Sequence, residues 1–123
     1  MLKYRNKTFA NRFGKWDSKK EYQRYLLLMD RLKRGEIADL HRQVKFVLIP
    51  AQYKTEIVPL KTKTKEVRRC VEKECAYFAD FSYTEQGRLV VEDVKSEITR
   101  KNSEYIIKRK LMLYVHGITI KEV

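Results

Sequence analysis

The sequence YFADFSYTEQGRLVVEDVK, residues 77–95, predicts a β-hairpin that carries acidic residues inside apolar strands. Asp80 has large apolar neighbours in the first strand, and Gly87 marks a tight turn between the strands. Asp93 lies near the end of the second strand. Charged side chains are rare inside apolar strands unless something compensates for their lost hydration. A divalent cation shared by the two aspartates would provide that compensation.

The second strand also determines which face of the sheet each charged side chain of the segment Glu92-Asp93-Val94-Lys95 lies on. Side chains alternate between the two faces of a strand, so Asp93 and Lys95 share one face and Glu92 points to the other. Phosphodiester hydrolysis needs oxygen ligands for a metal ion and a cation that orients water and stabilises charge in the transition state. Asp80, Asp93 and Lys95 can fill these roles.

The segment before this hairpin begins with a helix. Ser18 and Glu21 have the spacing of a capping box, and Gly35 ends the helix. Glu21 lies at the edge of the predicted buried stripe, where it can act as a third carboxylate that holds the metal's water shell or a second ion. That stripe comprises Tyr22, Tyr25, Leu26, Met29 and Leu32.

Strands fill the middle of the chain. We predict a strand over 43–49, ended by a proline, and an extended segment over 51–60. Residues 61–65 form a basic turn, and 66–71 pairs with 75–83 as a hairpin. Cys70 and Cys75 would then be cross-strand thiols of a reduced protein, since a lone C-x4-C lacks the other two ligands of a structural zinc site.

A second helix is predicted from Ser103 to Val115, with Ile107, Leu111 and Tyr114 on its apolar side and Gly117 as its stop. Residues 118–123 would add an edge strand. The order of elements predicts one α/β (α+β) domain over residues 1–123.

Composition points to a polyanionic partner. The 28 basic and 16 acidic residues give a net charge of +12, and a protein that neutralises phosphates gains affinity by releasing their counterions. Charge does not distinguish DNA from RNA. No apolar run is long enough to span a bilayer, and the N-terminus lacks the apolar core of a signal peptide, so we expect an intracellular protein. We expect residues 1–16 to form a basic arm that either docks by its aromatic rings or lies along a partner.

Basic residues also flank the predicted site. The expected phosphate contacts are Lys19, Arg100, Lys101 and Lys108. Such contacts set position and carry no base information, so we expect recognition of nucleic-acid structure rather than sequence.

Each candidate residue also has a purely structural interpretation. Glu21 can serve as a helix cap, with or without a role at the metal. Asp93 and Lys95 can be a surface ion pair of little energetic value. Asp80 can mark the end of a strand near a turn.

The order of Glu21, Asp80 and Asp93-Val94-Lys95 resembles the PD-(D/E)XK nuclease superfamily. More closely, the chain is similar to short phage-encoded endonucleases of that superfamily, which share SKKE at Ser18, Q-x-K-F-x-L-I-P from Gln43, ADF and VVEDVK. This resemblance covers Lys15 to Val123.

The resemblance implies a restriction-endonuclease-like central mixed sheet flanked by helices. It implies Mg²⁺-dependent cleavage of DNA, with Mn²⁺ able to substitute, on branched intermediates, by a homodimer in the cytoplasm of a bacterial host. By the same resemblance Asp80, Asp93 and Glu21 are the metal ligands and Lys95 is the catalytic lysine. Two departures are Ala79 in place of the usual proline and a basic hairpin elaboration at 61–75.

A non-catalytic, basic nucleic-acid-binding protein on the same fold is the main alternative. It has no need for acidic residues that face phosphate, which favours the nuclease. The two histidines, His41 and His116, match no nucleophile or metal-ligand pattern, and no glycine-rich phosphate loop is present.

Overall fold

A computed structural model of the chain describes residues 9–11, 14–16 and 18–123. Its elements in chain order are β1 (Phe9–Asn11), β2 (Gly14–Trp16), α1 (Lys19–Lys33), β3 (Ala38–Ile49), β4 (Gln52–Pro59), β5 (Thr64–Glu72), β6 (Cys75–Glu85), β7 (Arg88–Asp93), α2 (Glu97–Arg100), α3 (Ser103–His116) and β8 (Lys121–Glu122). The mixture of helices and strands confirms the predicted α+β class.

A four-stranded sheet in the order β3-β6-β7-β8 forms the centre of the protein. The first three strands are antiparallel, and β8 runs parallel to β7 at the edge. The sheet is therefore mixed, and the predicted C-terminal edge strand is present. The turn between β6 and β7 has positive φ at Gln86 (51°) and Gly87 (74°), as a two-residue hairpin connection requires.

The predicted pairing of residues 66–71 with 75–83 is wrong. Strand β5 instead pairs antiparallel with β4 in a separate two-stranded sheet, while β6 pairs with β3 and β7. The basic elaboration is consequently the β4–β5 hairpin, residues 52–72, rather than 61–75. Cys70 and Cys75 are free thiols on strands that do not pair with each other, so the expected cross-strand arrangement is also wrong.

Helix α1 begins as predicted, because the Ser18 side chain accepts a hydrogen bond from the Glu21 backbone N–H at 3.1 Å. Its predicted buried stripe is confirmed at Tyr22, Tyr25 and Leu32, which pack against the core, but not at Leu26. Leu28 is fully buried, whereas Leu26 is 45% exposed. Three consecutive leucines, residues 26–28, allow more than one amphipathic assignment.

Helix α3 also ends as predicted, at Gly117 in the left-handed conformation. Its predicted apolar side is confirmed at Leu111, which packs against the core, but is wrong at Ile107 and Tyr114, which are exposed, while Tyr105 and Met112 are buried. The short helix α2 was not predicted. Its four residues are too few for a detectable hydrophobic period.

Two apolar clusters lie between the helices and the sheet. One includes Tyr77 and Ala79 of β6 and packs beneath α3, and the other includes Phe81 and Tyr83 and packs against α1. The N-terminal arm joins the second cluster through Trp16, which is 1% exposed. The Trp16 ring therefore docks on the protein, as the first of the two predicted arrangements of the arm requires. Residues 1–8, 12 and 13 of the arm, and residue 17 after it, lie outside the described part of the chain.

Glu92 is completely buried and holds α1 to the sheet. Arg24 donates two hydrogen bonds to its carboxylate, both at 2.8 Å, and the Tyr83 hydroxyl donates another. Burial alone would raise the pKa of Glu92, but the bonds from Arg24 and Tyr83 outweigh burial and lower it. Glu92 therefore points away from Asp93 and Lys95, as predicted, and has a structural role.

We expect Arg24→Met to lower the free energy of unfolding by about 3 kcal/mol, since it leaves a buried carboxylate without its main partner. Urea denaturation at pH 7 measures this change. The matched control is Arg34→Met, which removes exposed ion pairs to Asp30 and Glu36 and should cost less than about 0.5 kcal/mol. Equal losses in the two variants would contradict the assigned role of Arg24.

Candidate active site

Asp80 and Asp93 meet between the two apolar clusters. The Asp80 backbone N–H donates to Asp93 Oδ1 at 3.2 Å, and the Val94 N–H donates to Asp80 Oδ2 at 2.8 Å. Each aspartate thus bonds to the backbone of the other strand or its extension. The hairpin predicted from residues 77–95 brings these two carboxylates together.

Asp93 is 1% exposed, and its second carboxylate oxygen is incompletely satisfied. Among the described residues, Oδ2 accepts no hydrogen bond, and Lys95 Nζ lies 3.5 Å away. Burial raises the pKa of Asp93 to about 6, against the opposing effect of the Lys95 charge. The site therefore keeps a carboxylate in an environment that disfavours its charge.

Lys95 extends from the end of β7 along the mouth of a cleft. Its ammonium lies 4.8 Å from the centroid of the Tyr105 ring, within the range of a cation–π contact. The cleft has a volume of about 270 Å³ and lies between β6 and the start of α3, with Asn102 and Lys108 also in its wall. Lys95 thus links the buried aspartates to a space that solvent can reach.

Glu21 is buried but does not complete a carboxylate cluster. Its Oε1 accepts a hydrogen bond from Gln43 Nε2 at 3.0 Å, and Arg42 lies 4.0 Å from the same oxygen. Among the described residues no three Asp, Glu, His or Cys side chains form a group that could hold a metal ion. Glu21, Asp80 and Asp93 therefore do not form the three-carboxylate set that the resemblance implies.

Gln43 is a residue of the site to which the sequence assigned no role. Its φ of 51° is unusual for a non-glycine residue. It lies opposite Asp80, because Arg42 pairs with Phe81 and Val44 pairs with Ala79. Gln43 therefore connects Glu21 to the strand position that faces Asp80. Strained backbone of this kind concentrates at functional sites.

Tyr105, which the sequence left open as a phosphate contact or a packing residue, belongs to this site together with Glu122, which the sequence did not indicate. The Tyr105 hydroxyl donates to Glu122 Oε2 at 2.5 Å, and Glu122 lies beside Asp93 in the parallel β7–β8 pairing. Burial, together with Glu122, raises the pKa of Tyr105. The parallel pairing with β8 could have indicated Glu122, but its register is not readable from sequence.

The predicted phosphate contacts lie in different places. Lys108 lines the cleft with Lys95 and is 3.3 Å from Glu104. Arg100 lies 3.9 Å from Glu122, and Lys101 is 78% exposed beside Glu97. Lys19 is exposed in the first turn of α1 and lines a separate depression with Tyr22 and Leu26. Lys108 is thus the predicted contact that shares the cleft with Lys95.

The two aspartates fit a divalent cation in chemical terms. Hard oxygen ligands suit Mg²⁺, which keeps several water molecules and often uses only one or two protein carboxylates. Asp93 Oδ2 is buried and accepts no hydrogen bond from the described residues. Asp80 is half-buried next to it. A cation would offset the cost of burying the Asp93 charge.

The fold and the site define an α+β protein in which a buried and a half-buried aspartate lie next to a lysine that lines a cleft. The chain belongs to the family described as "Protein of unknown function (DUF1064)", whose family model matches residues 1–119. No curated protein and no solved structure matches the chain significantly. Among the described residues, no helix is both long and apolar enough to cross a membrane.

Proposed function

We propose that this protein is a Mg²⁺-dependent DNA endonuclease that hydrolyses phosphodiester bonds. Its expected substrates are branched recombination or replication intermediates, cut by a homodimer in the cytoplasm of a bacterial host. The observation that carries the proposal is the buried Asp93 carboxylate, whose Oδ2 accepts no hydrogen bond from the described residues while Lys95 lies 3.5 Å away. The resemblance to PD-(D/E)XK nucleases supports the same chemistry.

Asp80 and Asp93 would hold the ion. When bound, Mg²⁺ supplies charge neutralisation at the phosphate and makes water a better nucleophile near neutral pH. Lys95 would donate hydrogen bonds to the scissile phosphate or the attacking water, and its charge would stabilise the charge that develops on the phosphate oxygens. The Tyr105 ring and Asp93 together hold the lysine at the cleft.

Glu21 has a supporting role in this proposal. Its carboxylate accepts a hydrogen bond from Gln43, the residue that lies opposite Asp80 in the β3–β6 pair, and from there it would orient water in the shell of the ion. Lys108 would draw phosphates into the cleft beside Lys95. These contacts go to the sugar-phosphate backbone, so the proposed selectivity is for DNA structure.

The test incubates the purified protein with linear, supercoiled, flapped and four-way-junction DNA. We expect cleavage with Mg²⁺ or Mn²⁺ and no cleavage with EDTA, with a branched substrate cut fastest. Gel electrophoresis under denaturing conditions detects the nicks. An RNA of the same sequence is the control for the nucleic-acid class.

Tight binding of all these DNAs without cleavage in either metal would contradict the nuclease proposal. That outcome would support the alternative of a non-catalytic nucleic-acid-binding protein. Cleavage that continues in EDTA would contradict the metal requirement.

A further inference from the structure

The β4–β5 hairpin, residues 52–72, stands apart from the rest of the protein. It forms its own two-stranded sheet and makes hardly any contact with the helices or with the four-stranded sheet. Most of its side chains on both faces are exposed. An isolated two-stranded hairpin is only marginally stable in water. The exposed faces of the hairpin are therefore available to bind another molecule.

The hairpin is basic, above all at its tip. Six basic and three acidic residues give residues 52–72 a net charge of +3. Glu56 is neutralised by Arg69, whose Nε lies 2.8 Å from its carboxylate. Lys61, Lys63 and Lys65 lie at the tip, and no acidic residue lies between positions 57 and 65. Opposing charge on a partner would suit this tip.

One face of the hairpin combines aromatic and cationic groups. The register places Tyr53, Thr55 and Ile57 on the same face as their partners Cys70, Arg68 and Glu66. The Arg68 guanidinium lies 3.9 Å from the centroid of the Tyr53 ring. Tyr53 is 50% exposed and Ile57 is 69% exposed. Stacked aromatic and guanidinium groups are a common surface for nucleic acid.

The hairpin leaves the central sheet on the side of the cleft. Its base follows the end of β3, where Ile49 pairs with Cys75, and Lys45 bonds to Glu74 at 2.8 Å there. Asp80 lies five residues along β6 from Cys75, about 17 Å at the rise of a strand. Ala76, Tyr77 and Phe78 of this stretch form the wall of the cleft. The cleft that contains Lys95 and Lys108 therefore begins at the base of the hairpin.

We propose that the β4–β5 hairpin is a DNA-binding arm that holds duplex DNA beside the cleavage cleft, with its tip lysines on phosphates. A two-stranded ribbon fits the major groove of B-form DNA, and eight residues of β4 extend about 27 Å. A second copy of this chain is a poorer occupant, because it would bring two arms of charge +3 together. The inference that the arm holds DNA beside a cleavage site rests on the proposed function, whereas the inference that the arm binds DNA does not.

The experiment measures equilibrium binding of a fluorescent 40-base-pair duplex and a four-way junction in EDTA, across a series of salt concentrations. The arm variant is Lys61→Gln/Lys63→Gln. The matched control is Lys33→Gln/Arg88→Gln, which removes the same charge at the other end of the sheet; Arg88 is five residues from Asp93 along β7. Circular dichroism checks that both variants are folded.

We expect the arm variant to lose about tenfold in affinity at 0.1 M salt and to lower the slope of log K against log salt by about 2, one phosphate contact for each lysine. The control should change affinity less than about twofold. Equal losses in the two variants would show a general effect of net charge and would overturn the proposal. Unchanged binding in the arm variant would overturn it as well.

A protein partner is tested in the same samples by sedimentation. Wild-type dimers that become monomers in Tyr53→Ser/Ile57→Ser, with DNA binding intact, would assign the arm to self-association and overturn the proposal. Because binding is measured in EDTA, the result is independent of cleavage. If the arm variant loses DNA binding and the wild-type protein cleaves no DNA, the proposed binding role of the arm is supported. The proposed nuclease activity is then contradicted.

Discussion

Asp93→Asn is expected to reduce DNA cleavage about a thousandfold or more while making the metal-free protein more stable. The activity falls because the substitution removes a charged oxygen ligand beside Asp80. Stability rises because burial lifts the pKa of Asp93 from 3.8 to about 6, so the folded protein carries an unfavourable charge at neutral pH. Two pKa units correspond to an upper limit of about 3 kcal/mol, and we expect a gain of about 2.

The pH dependence of this gain has a definite sign. The folded-state pKa of Asp93 is raised, so between pH 4 and 6 the folded protein binds a proton that the unfolded chain has released. The contribution of Asp93 to stability therefore falls as pH rises through this range. The free energy of unfolding of Asp93→Asn should exceed that of the wild type above pH 6, and the difference should disappear near pH 4. Urea denaturation at pH 4, 5.5 and 7.5 measures the difference between the two proteins.

Asp39→Asn is the control for this comparison, since Asp39 is an exposed aspartate on β3. It should change neither cleavage nor stability by a measurable amount. A loss of stability in Asp93→Asn at pH 7.5 would mean that Asp93 is a structural anchor and would contradict its assignment to a metal site.

Lys95→Met is expected to lower the cleavage rate at saturating DNA by about 10²–10³-fold, the effect of removing one charge-stabilising donor. Binding of the same DNA in Ca²⁺ or EDTA should weaken less than about threefold, because Lys95 is one of 28 basic residues in the chain. Single-turnover kinetics separates the two effects. Lys95→Arg keeps the charge but changes its geometry, so we expect partial activity.

Lys110→Met is the matched control for Lys95, since Lys110 is an exposed lysine on α3. It should leave the single-turnover rate unchanged. Equal rates for the wild type and Lys95→Met would remove Lys95 from the catalytic site. A loss of binding without a loss of rate would make it a DNA contact instead.

The local features of the fold could be predicted from sequence. The Ser18 cap, the turn at Gly87 and the stop at Gly117 each depend on residues that are adjacent in the chain. The contact of Asp93 with Lys95 follows from the alternation of side chains. These features placed two aspartates and a lysine together without knowledge of the remaining strands.

The features that were not predicted correctly depend on residues that are distant in the chain. The alternation of side chains in β5 is compatible with pairing to either β4 or β6. Nothing in residues 64–72 specifies which of the two strands is the partner. Glu92 depends on Arg24, 68 positions earlier. Glu21 satisfied a capping pattern and a nuclease pattern at once, and its bond to Gln43 depends on the packing of α1 against β3.

Calorimetric titration of the protein with Mn²⁺ in the absence of DNA measures whether Asp80 and Asp93 hold a divalent cation. We expect saturable binding to the wild-type protein that weakens at least tenfold in Asp93→Asn and in Asp80→Asn, while Asp39→Asn binds as the wild type does. Equal Mn²⁺ affinity in all four proteins, or no binding to the wild type at millimolar Mn²⁺, would contradict this expectation.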